Sequence, residues 1–335
     1  MGRVRALPIV LLACPVLLLA GCGGGKQNTL NPASPQEHKI SVLFWIMMAV
    51  AWAGFALIVG LLALGWVHRK KEGLPFGRGD KTGTGLVIGL GVAMPIVLLT
   101  VLFVYSDLFV LNSTAAPDAR TTKRTVEIVG HQWFWEASYP GTVAVTANDI
   151  HIPAGVRVNT VVRTVDVIHS FWVPELNRKI DLIPGQPNTV LLDASRPGTF
   201  RGQCAEFCGL QHANMSLVVY ADPPARFRAW LANEAKPARE PSTPDEQRGR
   251  EIFLSHTCSG CHTIRGTSAD GHIGPDLTHV GGRQDLAGLV LGNTPANMLR
   301  WIHDPQHIKP GVKMPDLHLS QAEERSVVAY LESLK

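Results

Sequence analysis

Apolar and polar positions divide the chain into stretches of distinct character. Residues 1–5 are basic, residues 7–20 are apolar but too short to span a bilayer comfortably, and Leu19-Ala20-Gly21-Cys22 ends the run on small residues. That order is the layout of a secretory signal over residues 1–21. An exported segment, 22–39, leads to residues 40–67, which like residues 82–106 contain no charged side chain. Both runs exceed the ~20 apolar residues a spanning helix needs, so they predict two transmembrane helices. Loop 68–81 holds Arg69, Lys70, Lys71, Arg78 and Lys81 against Glu72 and Asp80. Its basic excess puts it on the cytoplasmic side and both flanks outside.

Beyond Lys123 the pattern changes to short β-rich runs at 125–129, 149–152, 156–165, 189–192 and 216–220, separated by Gly, Pro and Asn. Such spacing predicts an antiparallel sandwich or barrel. Residues 223–235 read as a short amphipathic helix with Phe227, Trp230 and Leu231 on one side, closing a unit at 107–235. Residues 236–244 are polar with three prolines, the composition of a linker. From 245 to 335 the periodicity is helical, at 245–254, 294–303 and 320–334. The last stretch opens on the capping box Ser320-Gln321-Ala322-Glu323. The architecture expected is multi-domain: a two-helix membrane hairpin, an all-β unit and a small all-α domain.

Composition adds little beyond this. With 335 residues, 46% of them hydrophobic, and a net charge of +4, the chain has room for two modest domains and shows no nucleic-acid footprint. The six cysteines matter more, because each sits in a local pattern: Cys14 and Cys22, Cys204 and Cys208, Cys258 and Cys261. By arithmetic alone the two internal pairs suit disulfides in an oxidising compartment. The residues around Cys22 look like a bacterial lipoprotein cleavage box, which would make Cys22 the acylated mature N-terminus; ordinary cleavage with Cys22 unmodified is the alternative.

Residues 202–215 bring Cys204, Cys208, His212 and Met215 together, a soft donor set that selects copper. Zinc would be content with two Cys and two His but leaves Met215 without a role. Gly202 and Gly209 favour a loop between strands over a helix. The motif C-x-E-x-C-x-x-x-H-x-x-M, with Asp166-Val167-Ile168-His169-Ser170-Phe171-Trp172 upstream, resembles cytochrome c oxidase subunit II over roughly residues 40–235. The resemblance implies a cupredoxin-like β-sandwich in which Cys204 and Cys208 bridge two coppers, His169 and His212 cap one each, Met215 is a weak ligand and Glu206 offers its carbonyl. It also implies that Trp133, in Gly130-His131-Gln132-Trp133-Phe134-Trp135, passes electrons towards copper, where a plain core aromatic cluster is the alternative. The Glu206 side chain would face a magnesium shared with a catalytic subunit, or else be an ordinary solvated glutamate. The acid that many members carry near the start of the second membrane helix is absent from residues 82–106, so no proton path is assigned to this subunit.

Cys258-Ser259-Gly260-Cys261-His262 matches C-x-x-C-H, in which two thiols bind haem c covalently and the imidazole reaches the iron. A redox C-x-x-C or zinc site is the alternative. Downstream, Met298 falls within a helical pattern and Met314 in a Gly/Pro-rich loop before the last helix, which makes Met314 the favoured sixth ligand over Met298 and over His272, His279, His303, His307 and His318. The region resembles class I cytochrome c, and the whole chain resembles the fused subunit of caa-type oxidases. That implies a bacterial plasma-membrane protein with both redox domains on the outer face. Electrons from cytochrome c or a quinol-cytochrome c reductase would pass through haem and copper to the catalytic haem-copper subunit, where oxygen is reduced. The copper subunit of a nitric-oxide reductase, a nitrous-oxide reductase-like protein and a non-catalytic copper-handling lipoprotein are the competing readings.

Overall fold

The computed structural model describes residue 25, residues 27–68 and residues 80–335. The signal at 1–21, Cys22 and most of the basic loop lie outside the described residues. Helix α1 (Pro35–His68) begins five residues before the uncharged run. Helix α2 covers residues 80–114, eight residues past the run's end. Both are long and apolar enough to cross a membrane, with large side chains such as Trp52, Leu62, Val97 and Phe103 facing outward. Pro95 lacks a donor and its ring crowds the carbonyl one turn back. The helix meets this with a π-turn at Gly89–Ala93 immediately before it.

The outer ends of these helices dock on the outer domain. Ahead of α1, Ala33 donates its backbone N–H to Glu175 and accepts from Ser195, and the Ser34 hydroxyl donates to the Leu176 carbonyl. At the end of α2, the Thr114 carbonyl accepts from the Arg178 guanidinium at 2.9 Å. Asp80 is the first residue of α2, so an acid does stand at this helix's start, just ahead of the stretch that lacks one.

The outer domain is a sandwich of two five-stranded sheets. One has the order β3-β2-β1-β5-β8, with β1 Arg124–His131, β2 Phe134–Ser138, β3 Val145–Ala147, β5 Val158–Thr164 and β8 Asn188–Leu192. The other runs β4-β10-β9-β6-β7, with β4 Asp149–Pro153, β6 His169–Trp172, β7 Ile180–Leu182, β9 Gly198–Cys204 and β10 Ser216–Asp222. The sheets are mixed rather than purely antiparallel: β1 pairs in parallel with β5, and β10 with β4. Parallel neighbours need a crossover, and the strands between them in sequence provide it. Inward-facing Ile128, Trp135, Ile150, Ile152, Phe171, Leu176 and Leu182 fill the interior, and Trp135 meets Phe171 edge to face at 5.7 Å between centroids. Helix α3 (Pro224–Glu234) lays Phe227 and Leu231 on this core.

The C-terminal domain has its own core. Helix α4 (Pro244–Ser255) is capped by the Thr243 hydroxyl, and α8 (Gln321–Ser333) by the reciprocal Ser320–Glu323 box. These two helices cross closely: a Cβ on Gly249 would stand 1.9 Å from the Ser326 carbonyl oxygen, so only glycine allows the approach. Between them lie α5 (Cys258–Cys261), α6 (Pro295–His303) and α7 (Pro305–Ile308).

The polar segment between the domains is not slack. Ala238 donates its N–H to Arg265, the Lys236 carbonyl bonds the His279 ring, and Arg239 reaches the Ser333 carbonyl at 2.7 Å and Glu246 at 2.8 Å. Arg265 also donates to the Glu234 carbonyl and pairs with Asp276.

Candidate metal and haem centres

Cys204 ends β9, and residues 205–215 form a loop that returns to β10 and is closed by the hydrogen bond from Cys204 N–H to the Met215 carbonyl at 2.9 Å. The two residues per turn of a strand and the tight return place both thiols on the inner side of this loop. Cys204 Sγ is 3.9 Å from His169 Nδ1 and 3.2 Å from the Glu206 carbonyl oxygen, while Cys208 Sγ is 3.6 Å from His212 Nδ1 and 3.7 Å from Met215 Sδ. Donor atoms of His169, Cys204 and Cys208 all lie within 4.8 Å of one another, and all three residues are buried. All six residues picked from the sequence therefore meet at one place. The Glu206 side chain instead points outward, half-exposed and 3.8 Å from Lys179.

His169 comes from the neighbouring strand β6, and its position depends on two residues whose roles the motif did not reveal. Asp166 accepts from His169 Nε2 at 2.8 Å, leaving Nδ1 turned to Cys204, and is itself held by the Gln132 N–H at 2.7 Å. Gly130, on β1 of the opposite sheet, makes room for the ring: a Cβ there would stand 2.9 Å from His169 Cδ2. Burial alone would depress the His169 pKa, but its bonds to Cys204 and Asp166 hold it above the usual value. The Cys204 thiol is driven well below its usual range, first by the hydrogen bond from Cys208 and then by His169. The same bond, with burial, pushes Cys208 up. A thiol whose pKa its neighbours depress suits a thiolate metal centre.

Trp133 packs over the loop. Its indole N–H donates to the Cys208 carbonyl at 2.9 Å, and Gln132 Nε2 donates to the same oxygen at 2.8 Å. His131, stacked on Phe134 at 4.3 Å, has a buried Nε2 without a hydrogen-bond partner among the described residues; burial lowers its pKa to about 4 and keeps the ring neutral.

In the C-terminal domain, Cys258, Cys261, His262, Met298 and Met314 line one apolar cavity. His262 Nδ1 bonds the Pro275 carbonyl at 2.8 Å, which frees the other ring nitrogen, and burial lowers its pKa towards the neutral, ligating form. Gly274 lies flat on the ring, since a Cβ would stand 2.4 Å from His262 Cε1. Met298 is buried on α6 and also reaches the cavity wall, so both thioethers face it; none of His272, His279, His303, His307 and His318 does. Cys258 and Cys261 are not joined to each other, nor are Cys204 and Cys208, so the disulfide reading fails among the described cysteines. Most of the cavity wall comes from the C-terminal domain, and one side belongs to the sandwich: Gln132, Trp133, Phe134, Ala147 and Asn148 face it.

A membrane-anchored sandwich with a buried thiolate, imidazole and thioether cluster, abutting a C-x-x-C-H cavity, defines a one-electron carrier protein. The family described as cytochrome C oxidase subunit II, periplasmic domain, matches residues 142–222, and the family described as cytochrome c matches residues 246–335. Cytochrome c oxidase subunit 2 of Alkalihalophilus pseudofirmus is 35% identical, covering 99% of this chain and 97% of that protein. Cytochrome c oxidase subunit 2 of Bacillus subtilis is 29% identical, covering 98% and 97%. Among solved structures, the periplasmic domain of cytochrome oxidase subunit II of Bradyrhizobium japonicum shares 28% identity over 36% of this chain and 96% of that one, with a TM-score of 0.34. The chain belongs to the cytochrome c oxidase subunit II family, with a cytochrome c domain fused at its C-terminus. It is an oxidoreductase subunit of a haem-copper oxidase, with a copper centre in the sandwich domain and its own haem c. The nitric-oxide reductase and copper-handling readings find no support.

Proposed function

We propose that this chain takes single electrons into the domain of His262 and relays them, through the cluster of Cys204 and Cys208, to a catalytic haem-copper subunit that reduces oxygen to water. The observation carrying this is the shared wall: Trp133, hydrogen-bonded to the Cys208 carbonyl, lines the cavity that also holds Cys258, Cys261 and His262. Two copper ions and haem c supply, when bound, the reversible one-electron chemistry.

The protein's own contribution is placement. Cys204 and Cys208 with their sulfurs, His169 and His212 with their imidazoles, and Met215 and the Glu206 carbonyl as weaker donors would hold the copper. These six residues come from one loop and one neighbouring strand, so the donor set is rigid and suits electron transfer over bond-making. Cys258 and Cys261 would anchor the haem covalently, and His262 and Met314 would offer its iron an imidazole nitrogen and a thioether sulfur. Trp133 conducts between the two centres. The outward Glu206 carboxylate is a hard oxygen donor suited to a magnesium ion at the contact with the catalytic subunit. Cys22 carries the lipid anchor, and the basic loop 68–81 faces the cytoplasm, which sets both redox domains on the outer face of a bacterial plasma membrane. The external donor is cytochrome c or a quinol-cytochrome c reductase.

Removing residues 240–335 tests the route. The shortened subunit in its complex is expected to keep copper and its colour, while oxygen uptake becomes dependent on added cytochrome c. Undiminished turnover with the original donor system and no added cytochrome would contradict it.

A further inference from the structure

Among the described residues, Lys309 is the one buried lysine or arginine, and the relay does not explain its role. It follows α7 in the loop that carries Met314, is 2% exposed, and donates from Nζ to three backbone carbonyls: Trp133 at 2.9 Å, Asn214 at 2.9 Å and Ala287 at 2.8 Å. Two of these oxygens belong to the sandwich and one to the cytochrome domain. Three acceptors match the three N–H bonds of an ammonium group, and no neutral side chain offers that set from one atom. Burying a charge without a carboxylate partner is costly unless it is fully hydrogen-bonded, and here the bonds link the two domains. Burial lowers the Lys309 pKa to about 8, so it stays protonated at neutral pH.

The surrounding contacts repeat the theme. Gln211 donates to the Pro310 carbonyl at 2.7 Å, Lys313 stands 3.9 Å from Asp166, and the Gln284 N–H donates to Asp149. Asn214 precedes Met215, Asp166 holds His169, and Lys313 precedes Met314. The loop bearing the proposed haem ligand therefore clamps directly on the loop and aspartate that organise the cluster.

We propose that Lys309 is the positioning residue that locks the cytochrome domain onto the Trp133 face of the sandwich, so that electrons cross in one fixed docked geometry with no search by a tethered domain. The proposal rests on the relay described above. It makes the fused domain a permanent cover over Trp133, which is 9% exposed in the chain.

The test uses the full chain in its detergent-purified oxidase. Lys309→Met keeps the volume and removes all three donors. Gly288→Ala is a second, independent wedge, because its methyl would stand 2.8 Å from the Asn214 carbonyl and 3.0 Å from Lys309 Nζ. Two readouts are compared with wild type: hydroxyl-radical oxidation of Trp133 by mass spectrometry, and electron equilibration between haem and copper after photoreduction. Both variants are expected to shift the docking equilibrium by about tenfold or more, the factor that loss of a charge-assisted hydrogen bond represents, and so to show increased Trp133 oxidation and a slower electron step with wild-type copper and haem spectra. If Lys309→Met loses either cofactor, Gly288→Ala decides by the same readouts. Trp133 protection and a rate like wild type in the deciding variants overturn the role of Lys309 alone. Absence of any haem-to-copper transfer in the wild type overturns the relay itself.

Discussion

His169 divides its two ring nitrogens between Asp166 and the Cys204 sulfur, and this small arrangement shows what the residue sequence can and cannot disclose. Cys204, Cys208, His212 and Met215 were legible because they fall within twelve consecutive residues, the end of β9 and the loop after it, and spacing at that range is visible in the sequence. Asp166 lay in the quoted motif, but its bond to His169 was hidden, and Gly130 acts across the sandwich from another sheet, where no local pattern records it. At the second centre the sequence favoured Met314 over Met298, whereas both line the cavity; the pattern told helix from loop but not which sulfur reaches the iron. Replacing Met314 by leucine is expected to lower the haem midpoint potential by on the order of 0.1 V, within the range of about 0.8 V that axial ligands command. Met298→Leu should leave the potential nearly unchanged. Redox titration of the two variants checks this, and the opposite pattern would move the ligand to Met298.

Among the elements, those with strong periodicity or a cap were readable and those built around the site were not. Strands β1, β4, β5, β8 and β10 follow the β-branched runs, and α8 begins on its capping box as expected. Strands β6 and β9 were missed as strands because the functional residues interrupt them: β6 is His-Ser-Phe-Trp, and β9 carries two glycines and Cys204. Gly202 is forced by packing, since a Cβ would stand 2.6 Å from the Trp172 carbonyl oxygen. The second membrane helix was cut short because the uncharged run ends before Asp107, whereas apolar and exposed Leu108, Phe109 and Leu111 continue the span to Thr114, whose carbonyl meets Arg178. The crossing of α4 and α8 is the element whose failure should be felt most. Gly249→Ala forces these helices apart and is expected to cost about 1–3 kcal/mol, read as a lower unfolding midpoint and poorer haem incorporation, with the copper spectrum retained. An unchanged midpoint would mean that the crossing relaxes freely.

On the scale of the whole molecule, the proline-rich segment 236–244 reads in sequence as a free tether, which would raise the effective concentration of one domain near the other. The fold replaces that picture with a seam. Backbone and side-chain bonds hold the segment against the cytochrome domain, and the haem cavity is completed by the sandwich itself. No composition argument could have found this, because the seam is built from backbone carbonyls and single long side chains far apart in the chain, Lys309 and Arg265 foremost. All of it serves a pair of sulfurs, and the most direct measurement is therefore made on one of them. Cys208→Ser in the full chain, followed by metal analysis and visible spectra, is predicted to lose bound copper and its colour while the haem spectrum persists. Copper content and colour equal to wild type would contradict the account.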